Sequence, residues 1–190
     1  METWHLTEPL PADLRVDDAL DAYLAENGFA REGYDAKWTG ASFFGLPIAV
    51  PNTRHHRWAI MRHDILHVLT GYGTDHAGEA EISAIEVKLA LRDLGPYVGG
   101  IVLAGYTLGL STHRRRTRAA YAAAGNLRSL YEGSAPTYEA MLAMRVGELR
   151  AWARIPERGL TTSPRALHLR APKGAVLGSE PHAVASCSRI

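Results

Sequence analysis

Residues 62–79 constrain the fold most strongly, because they predict two helices and the side chains that those helices bring together. His63 and His67 are four residues apart, so on a helix their imidazoles lie on the same face. A turn with two glycines follows, after which the chain can turn back and bring Glu79 to the same point. Two imidazoles with one or two carboxylates form a ligand set that suits zinc, with iron, manganese or magnesium as alternatives.

Asp64 borders the histidine pair and supplies the second carboxylate. It is either a ligand itself or a residue that orients His67. The competing interpretation is a pair of surface histidines, with Glu79 as an ordinary acid at a helix start. The neighbouring Asp64, the glycine-bearing turn and the acid that opens the next apolar helix together favour the metal interpretation.

Other titratable residues lie near this segment. We expect His55 and His56 on the exposed side of the helix, and Asp75 and His76 in the turn as either further ligands or capping residues. The arginines of the same helix are expected to form a solvated face: Arg54, Arg57 and Arg62.

The composition is that of an ordinary soluble protein with one domain. Its 190 residues are 46% hydrophobic and 22% charged, and the formal net charge of +1 gives no electrostatic reason to expect a nucleic-acid partner. The single cysteine, Cys187, excludes an internal disulfide and fits a reducing compartment. The first residues resemble neither a secretory signal nor a transit peptide, so a cytoplasmic protein is expected.

Hydrophobic periodicity and capping residues predict an all-α fold of about six or seven helices, with the metal site on a central helix. We expect residues 1–158 to form this domain and residues 159–190, rich in Ser, Pro and Gly, to be a flexible tail. The uncharged stretch 97–110 is too short to span a bilayer and is expected to be a buried or interfacial helix. Residues 31–50 are ambiguous between loop, short helix and strand. The other predicted helices are 16–27, about 53–72, one from 79, 114–124, one from about 136, and 146–152.

Two known classes of metal helix fit poorly. A zincin needs glutamate as the general base directly after the first histidine, and position 64 holds the shorter aspartate. A phosphohydrolase of the His-Asp type needs a separate upstream histidine and a distant aspartate, whereas His55 and His56 are too close on the same helix.

The run from His63 to Tyr72, with Thr74-Asp75 and Gly78-Glu79-Ala80 after it, resembles the signature of the coenzyme Q biosynthesis protein 4 family. The resemblance includes the eleven residues between the second histidine and the glutamate, and extends loosely over residues 55–155. It implies an all-helical fold, with zinc ligands and candidate catalytic residues at His63, Asp64, His67 and Glu79.

The resemblance also implies an activity: removal of the carboxyl group from a prenylated hydroxybenzoate, with a hydroxyl placed at that ring carbon. It further implies a cavity for an isoprenoid tail, contact with membranes, and association with other ubiquinone enzymes. Residues 41–52 depart from the family pattern, and the segment after Gly159 is extra. Both departures leave the substrate open, including an aromatic substrate of a natural-product pathway.

Two functional hypotheses follow. The first is a metal-dependent decarboxylase of a hydroxybenzoate-type ring, in which the metal acts as a Lewis acid. The second is a scaffold that binds an isoprenoid or quinone and uses the metal only for structure. An open coordination position favours the first, and closure by four protein ligands favours the second. The expected partners are an aromatic or prenylated small molecule, the inner membrane surface as a peripheral contact, and a second copy or a biosynthetic complex.

Overall fold

The computed structural model describes residues 10–43 and 46–161, and in these residues the chain forms seven α-helices and one β-hairpin. This confirms the predicted all-α class. The helices are α1 (Val16–Glu26), α2 (Arg54–Thr70), α3 (His76–Leu89), α4 (Gly95–Thr112), α5 (Arg114–Ala124), α6 (Tyr138–Ala143) and α7 (Val146–Ala153). Most of the predicted tail, from residue 162 onward, lies outside the described residues, but the backbone N–H groups of Leu160 and Thr161 donate to the carbonyl of Thr70.

The predicted ends of α2 are confirmed. The Thr53 side chain accepts a hydrogen bond from the His56 backbone N–H, which caps the start of the helix. Gly71 ends it with a φ of 76°, in the left-handed region that suits glycine. Helix α3 begins three residues before the predicted start at Glu79, because the Asp75 side chain accepts from Gly78 N–H and caps it there. Asp75 is therefore a capping residue, one of the two roles expected for it.

The ambiguous segment contains a short 3-10 helix (Arg31–Asp35) and two antiparallel strands, β1 (Trp38–Phe43) and β2 (Leu46–Pro51). The pairing register runs from Trp38 opposite Pro51 to Phe43 opposite Leu46. The Asn52 side-chain amide donates to the carbonyls of Tyr34 and Ala36, which joins the end of the hairpin to the 3-10 helix just before α2 begins.

Helix α2 lies at the centre of one hydrophobic core. Its Ile65 and Leu69 are fully buried, as are Ile82 and Ile85 of α3. Helices α1 and α7 pack against α2, whereas α4 and α5 pack against α3. The two histidines are therefore carried by a helix that packs against other helices on several sides.

Small residues allow α3, α4 and α5 to approach closely. A Cβ at Gly109 of α4 would lie 2.4 Å from the Ala80 Cβ and 2.8 Å from the Thr117 Oγ1. On the same helix, a Cβ at Gly100 would meet no atom within 4 Å. The first glycine is therefore needed for packing, and the second is not.

Helix α4 is only half-buried, because it packs through Val98, Gly99, Val102 and Gly109. Its outer face exposes large apolar side chains, which are Tyr97, Ile101 and Leu103. None of the described helices combines the length and the apolar character needed to cross a bilayer.

The two glycines of α4 give a matched test of this packing. We expect Gly109→Ala to destabilise the fold by about 1–3 kcal/mol, because the added methyl overpacks the three-helix contact. Gly100→Ala should instead stabilise it by roughly 0.5–1 kcal/mol, because alanine is the better helix former. Chemical denaturation of both variants measures the difference, and equal unfolding free energies would contradict the packing described above.

Candidate metal centre

The turn between α2 and α3 brings Glu79 opposite the histidine pair. The backbone of Gly78 lies directly against that of Gly73, since a Cβ at position 78 would be 1.8 Å from the Gly73 carbonyl oxygen. Only glycine permits this approach. As a result, the first turn of α3 lies against the last turns of α2, and Glu79 faces His63 and His67.

The ligand atoms of His63, His67 and Glu79 lie within 4.8 Å of one another and form a group able to hold a metal ion. The two Nε2 atoms are 3.1 Å apart, and the Glu79 oxygens lie 3.2 Å from His63 Nε2 and 3.5 Å from His67 Nε2. Zinc ligands at about 2.0–2.1 Å in tetrahedral geometry are ~3.3 Å apart. The Glu79 oxygen nearest His63 is Oε2 and the one nearest His67 is Oε1, so the carboxylate faces both nitrogens at separations close to the edge of a coordination tetrahedron.

His67 is held in one orientation by the backbone. Its Nδ1 lies 2.9 Å from the carbonyl oxygen of Tyr72, which only accepts hydrogen bonds, so Nδ1 carries the proton and Nε2 presents its lone pair to the site. The ring also stacks on Tyr23, with centroids 5.4 Å apart, and its side chain is 0% exposed.

His63 is held by a carboxylate that the sequence analysis did not select. Its Nδ1 lies 3.1 Å from Glu86 Oε1, and the Tyr131 hydroxyl donates to the same oxygen at 2.5 Å. The Glu86 side chain is 2% exposed, so it lies on the buried side of α3. The spacing in the sequence could have predicted this contact, because Glu86 follows Glu79 by seven residues and so lies on the same helix face two turns later.

The electrostatics of the group follow from these contacts. When no ion is bound, Nε2 of either histidine can carry a proton and donate to Glu79. Burial alone would raise the pKa of Glu79, but the charge of His67 and hydrogen bonds from both histidines then hold it well below its usual range. Burial would lower the pKa of His63, but Glu86 and Glu79 raise it well above its usual range. The Glu79 side chain remains 43% exposed, so the group opens to solvent on the glutamate side.

Asp64 is not brought into the group. Its Oδ2 accepts a hydrogen bond of 2.5 Å from the Tyr34 hydroxyl, which comes from the 3-10 helix. Burial raises the pKa of this carboxyl, although the charge of His63 and the bond from Tyr34 oppose that effect. Of the four residues selected from the sequence, the structure therefore assembles His63, His67 and Glu79.

The flanking residues take other partners. His55 Nε2 lies 2.9 Å from the Leu94 carbonyl oxygen, and His56 Nδ1 lies 3.1 Å from Asn52 Oδ1. The expectation that His56 is exposed is wrong, because it is buried beside the end of the hairpin. Arg62 is also buried, not solvated: its Nε donates to the Leu130 carbonyl.

A cavity of about 480 Å³ lies on the other side of α2, against the segment 130–139. Trp58 and Met61 line it, and their helix face points away from the Nε2 atoms of the histidine pair. The Tyr131 ring is also part of its wall, while the Tyr131 hydroxyl reaches Glu86. This cavity is therefore separate from the open side of the ligand group.

Comparison with protein-family models, curated proteins and solved structures finds no match to this chain.

The ligand group predicts which substitutions remove metal. We expect the purified protein to hold about one divalent ion per chain, and His67→Ala and Glu79→Gln to lower that occupancy strongly. Asp64→Asn should keep full occupancy, because Asp64 is held by Tyr34 away from the group. Metal analysis by mass spectrometry after dialysis measures all four proteins. Loss of the ion from Asp64→Asn together with full occupancy of His67→Ala would contradict this assignment.

Proposed function

We propose that the protein is a zinc-dependent enzyme that decarboxylates a hydroxybenzoate-type aromatic ring and allows a hydroxyl to replace the lost group. The observation that supports this is the open ligand group: His63, His67 and Glu79 bring three ligand atoms within 4.8 Å of one another, and the fourth candidate carboxylate is held by Tyr34. A catalytic zinc site keeps a coordination position for water or substrate, whereas a structural site is closed. The resemblance to the coenzyme Q biosynthesis protein 4 family supplies the reaction class.

The chain's own residues have separate roles in this proposal. His63 and His67 hold the ion from the buried side, and Glu79 holds it at the exposed edge where a substrate enters. When bound, zinc supplies Lewis-acid chemistry: it attracts the substrate carboxylate or phenolate and stabilises negative charge at the ring. The bond between the ring carbon and the carboxyl carbon breaks, carbon dioxide leaves, and the electron pair remains on the ring. Molecular oxygen then adds at that ring carbon: one oxygen atom stays on the ring and the other leaves as water with two protons from the substrate, so the ring is released as a quinone, the oxidised form of the hydroxylated ring.

The reaction is tested with 4-hydroxybenzoate-type acids, with and without a prenyl substituent. We expect carbon dioxide release and oxygen consumption from the zinc-loaded protein, and loss of both in His67→Ala. Asp64→Asn serves as the control that keeps the ion. Tight binding of the prenylated acids with no turnover of any acid would overturn the enzyme proposal and favour the scaffold.

A second observation favours a contact with an anionic lipid surface. The exposed face of α4 carries Tyr97, Ile101 and Leu103, and the helix itself has no charged residue. The next helix begins directly after it with exposed arginines, and among the described residues Arg114, Arg115 and Arg118 form no ion pair. An apolar face with cations at its end matches the acyl chains and phosphates of a membrane surface.

Vesicle co-sedimentation tests this contact. We expect the protein to bind vesicles of phosphatidylcholine with phosphatidylglycerol more strongly than phosphatidylcholine alone, and binding to weaken with salt. Leu103→Glu should abolish binding, whereas Phe29→Glu, a change at another exposed apolar side chain, should not. Equal loss in both variants, or no binding by the unchanged protein, would remove the membrane contact.

A further inference from the structure

Glu86 is a buried carboxylate with an unusual set of partners. Both of its hydrogen bonds, from His63 Nδ1 and from the Tyr131 hydroxyl, fall on Oε1, and Oε2 has no partner among the described residues. Burying a carboxylate without full compensation is costly. Glu86 is in direct contact with His63 of the ligand group. Because its burial is costly, we expect this carboxylate to have a role other than packing.

We propose that Glu86, held in place by Tyr131, is a positioning residue that fixes the tautomer of His63 and strengthens it as a metal ligand. The proposal rests on the metal-binding role assigned above to His63, His67 and Glu79. Under this proposal, Glu86 on α3 and Tyr131 in the loop before α6 also determine how tightly the ion is held.

The tautomer argument follows from the acceptor. The carboxylate oxygen of Glu86 accepts hydrogen bonds, so the His63 ring nitrogen that faces it carries the proton. The other nitrogen, Nε2, is then left with its lone pair directed toward His67 Nε2 and Glu79. A negative charge behind an imidazole also makes the ring a stronger donor to a metal, and such partners typically change metal affinity by about 10–100-fold.

Tyr131 acts one step further from the ligand group. Its hydroxyl donates to the oxygen that His63 uses, and its ring packs edge-on against Trp58 with centroids 5.5 Å apart. Burial and the neighbouring Glu86 raise the pKa of Tyr131 well above its usual range, so its hydroxyl remains a donor. The hydrogen bond from Tyr131 therefore holds the Glu86 carboxylate in the orientation in which Oε1 faces His63.

The two histidines differ in a way that makes the idea testable. His67 is oriented by the Tyr72 backbone carbonyl, which no substitution removes, whereas His63 is oriented by a side chain. Glu86→Gln keeps an accepting oxygen and removes the charge, while Glu86→Ala removes both. Glu81 is the matched control, because it is a buried carboxylate on the same helix that pairs with Arg116 instead of a histidine.

The experiment is a competitive titration of zinc against a chromophoric chelator, with the visible spectrum of the cobalt-loaded protein as a second readout. We expect affinity to fall about 10-fold in Glu86→Gln and up to about 100-fold in Glu86→Ala. Tyr131→Phe should weaken binding less, and Glu81→Gln should bind as tightly as the unchanged protein. The cobalt spectrum should change in the Glu86 variants only.

The outcomes separate the two proposals. If the unchanged protein binds neither zinc nor cobalt, the metal site itself is overturned. If it binds both, and Glu86→Gln and Glu86→Ala match it in affinity and spectrum, the positioning role is overturned. Thermal unfolding of the metal-free proteins shows whether each variant folds. If Glu86→Ala does not fold, the zinc affinities of Glu86→Gln and Tyr131→Phe test the positioning role.

Discussion

The buried guanidinium of Arg150 is the interaction on which the placement of α2 depends. This side chain of α7 is 1% exposed, and it donates to the carbonyls of Val68, Leu69, Leu10 and Glu157. The last carbonyls of a helix lack partners within the helix and carry its partial negative charge, so a cation is stabilised there. Arg150 thereby joins the end of α2 to α7 and to the segments on either side of the helical core.

The short turn between α2 and α3, residues 71–75, has three roles in building the ligand group. Gly71 ends α2, the carbonyl of Tyr72 orients His67, and the close approach of Gly73 and Gly78 delivers Glu79. All three depend on backbone geometry, which side-chain motion does not disturb. A ligand group built this way is largely arranged before an ion arrives, so little ordering is needed on binding.

The sequence predicted the parts of the centre that depend on local geometry. His63 and His67 share a face because of the helical period, and a glycine turn of fixed length brings back Glu79. The contacts of Glu86 and Asp64 could not be predicted in the same way, because Tyr131 and Tyr34 lie far from them in sequence. Residues 31–50 were ambiguous for another reason: glycine and proline interrupt the alternation by which the strands within this segment would be recognised.

In the proposed function, the placement of Asp64 decides the charge that the ligand group would present to a substrate. A divalent ion held by two neutral imidazoles and Glu79 would leave one net positive charge on the ligand group itself. With Asp64 as a fourth ligand that charge would be neutralised, and the position for a substrate carboxylate would be occupied. Because the Tyr34 hydroxyl holds Asp64, the ligand group would keep a charge that attracts an anion at its open side. In the proposed function, the same hydrogen bond therefore keeps both the coordination position and the positive charge that a carboxylated ring would need.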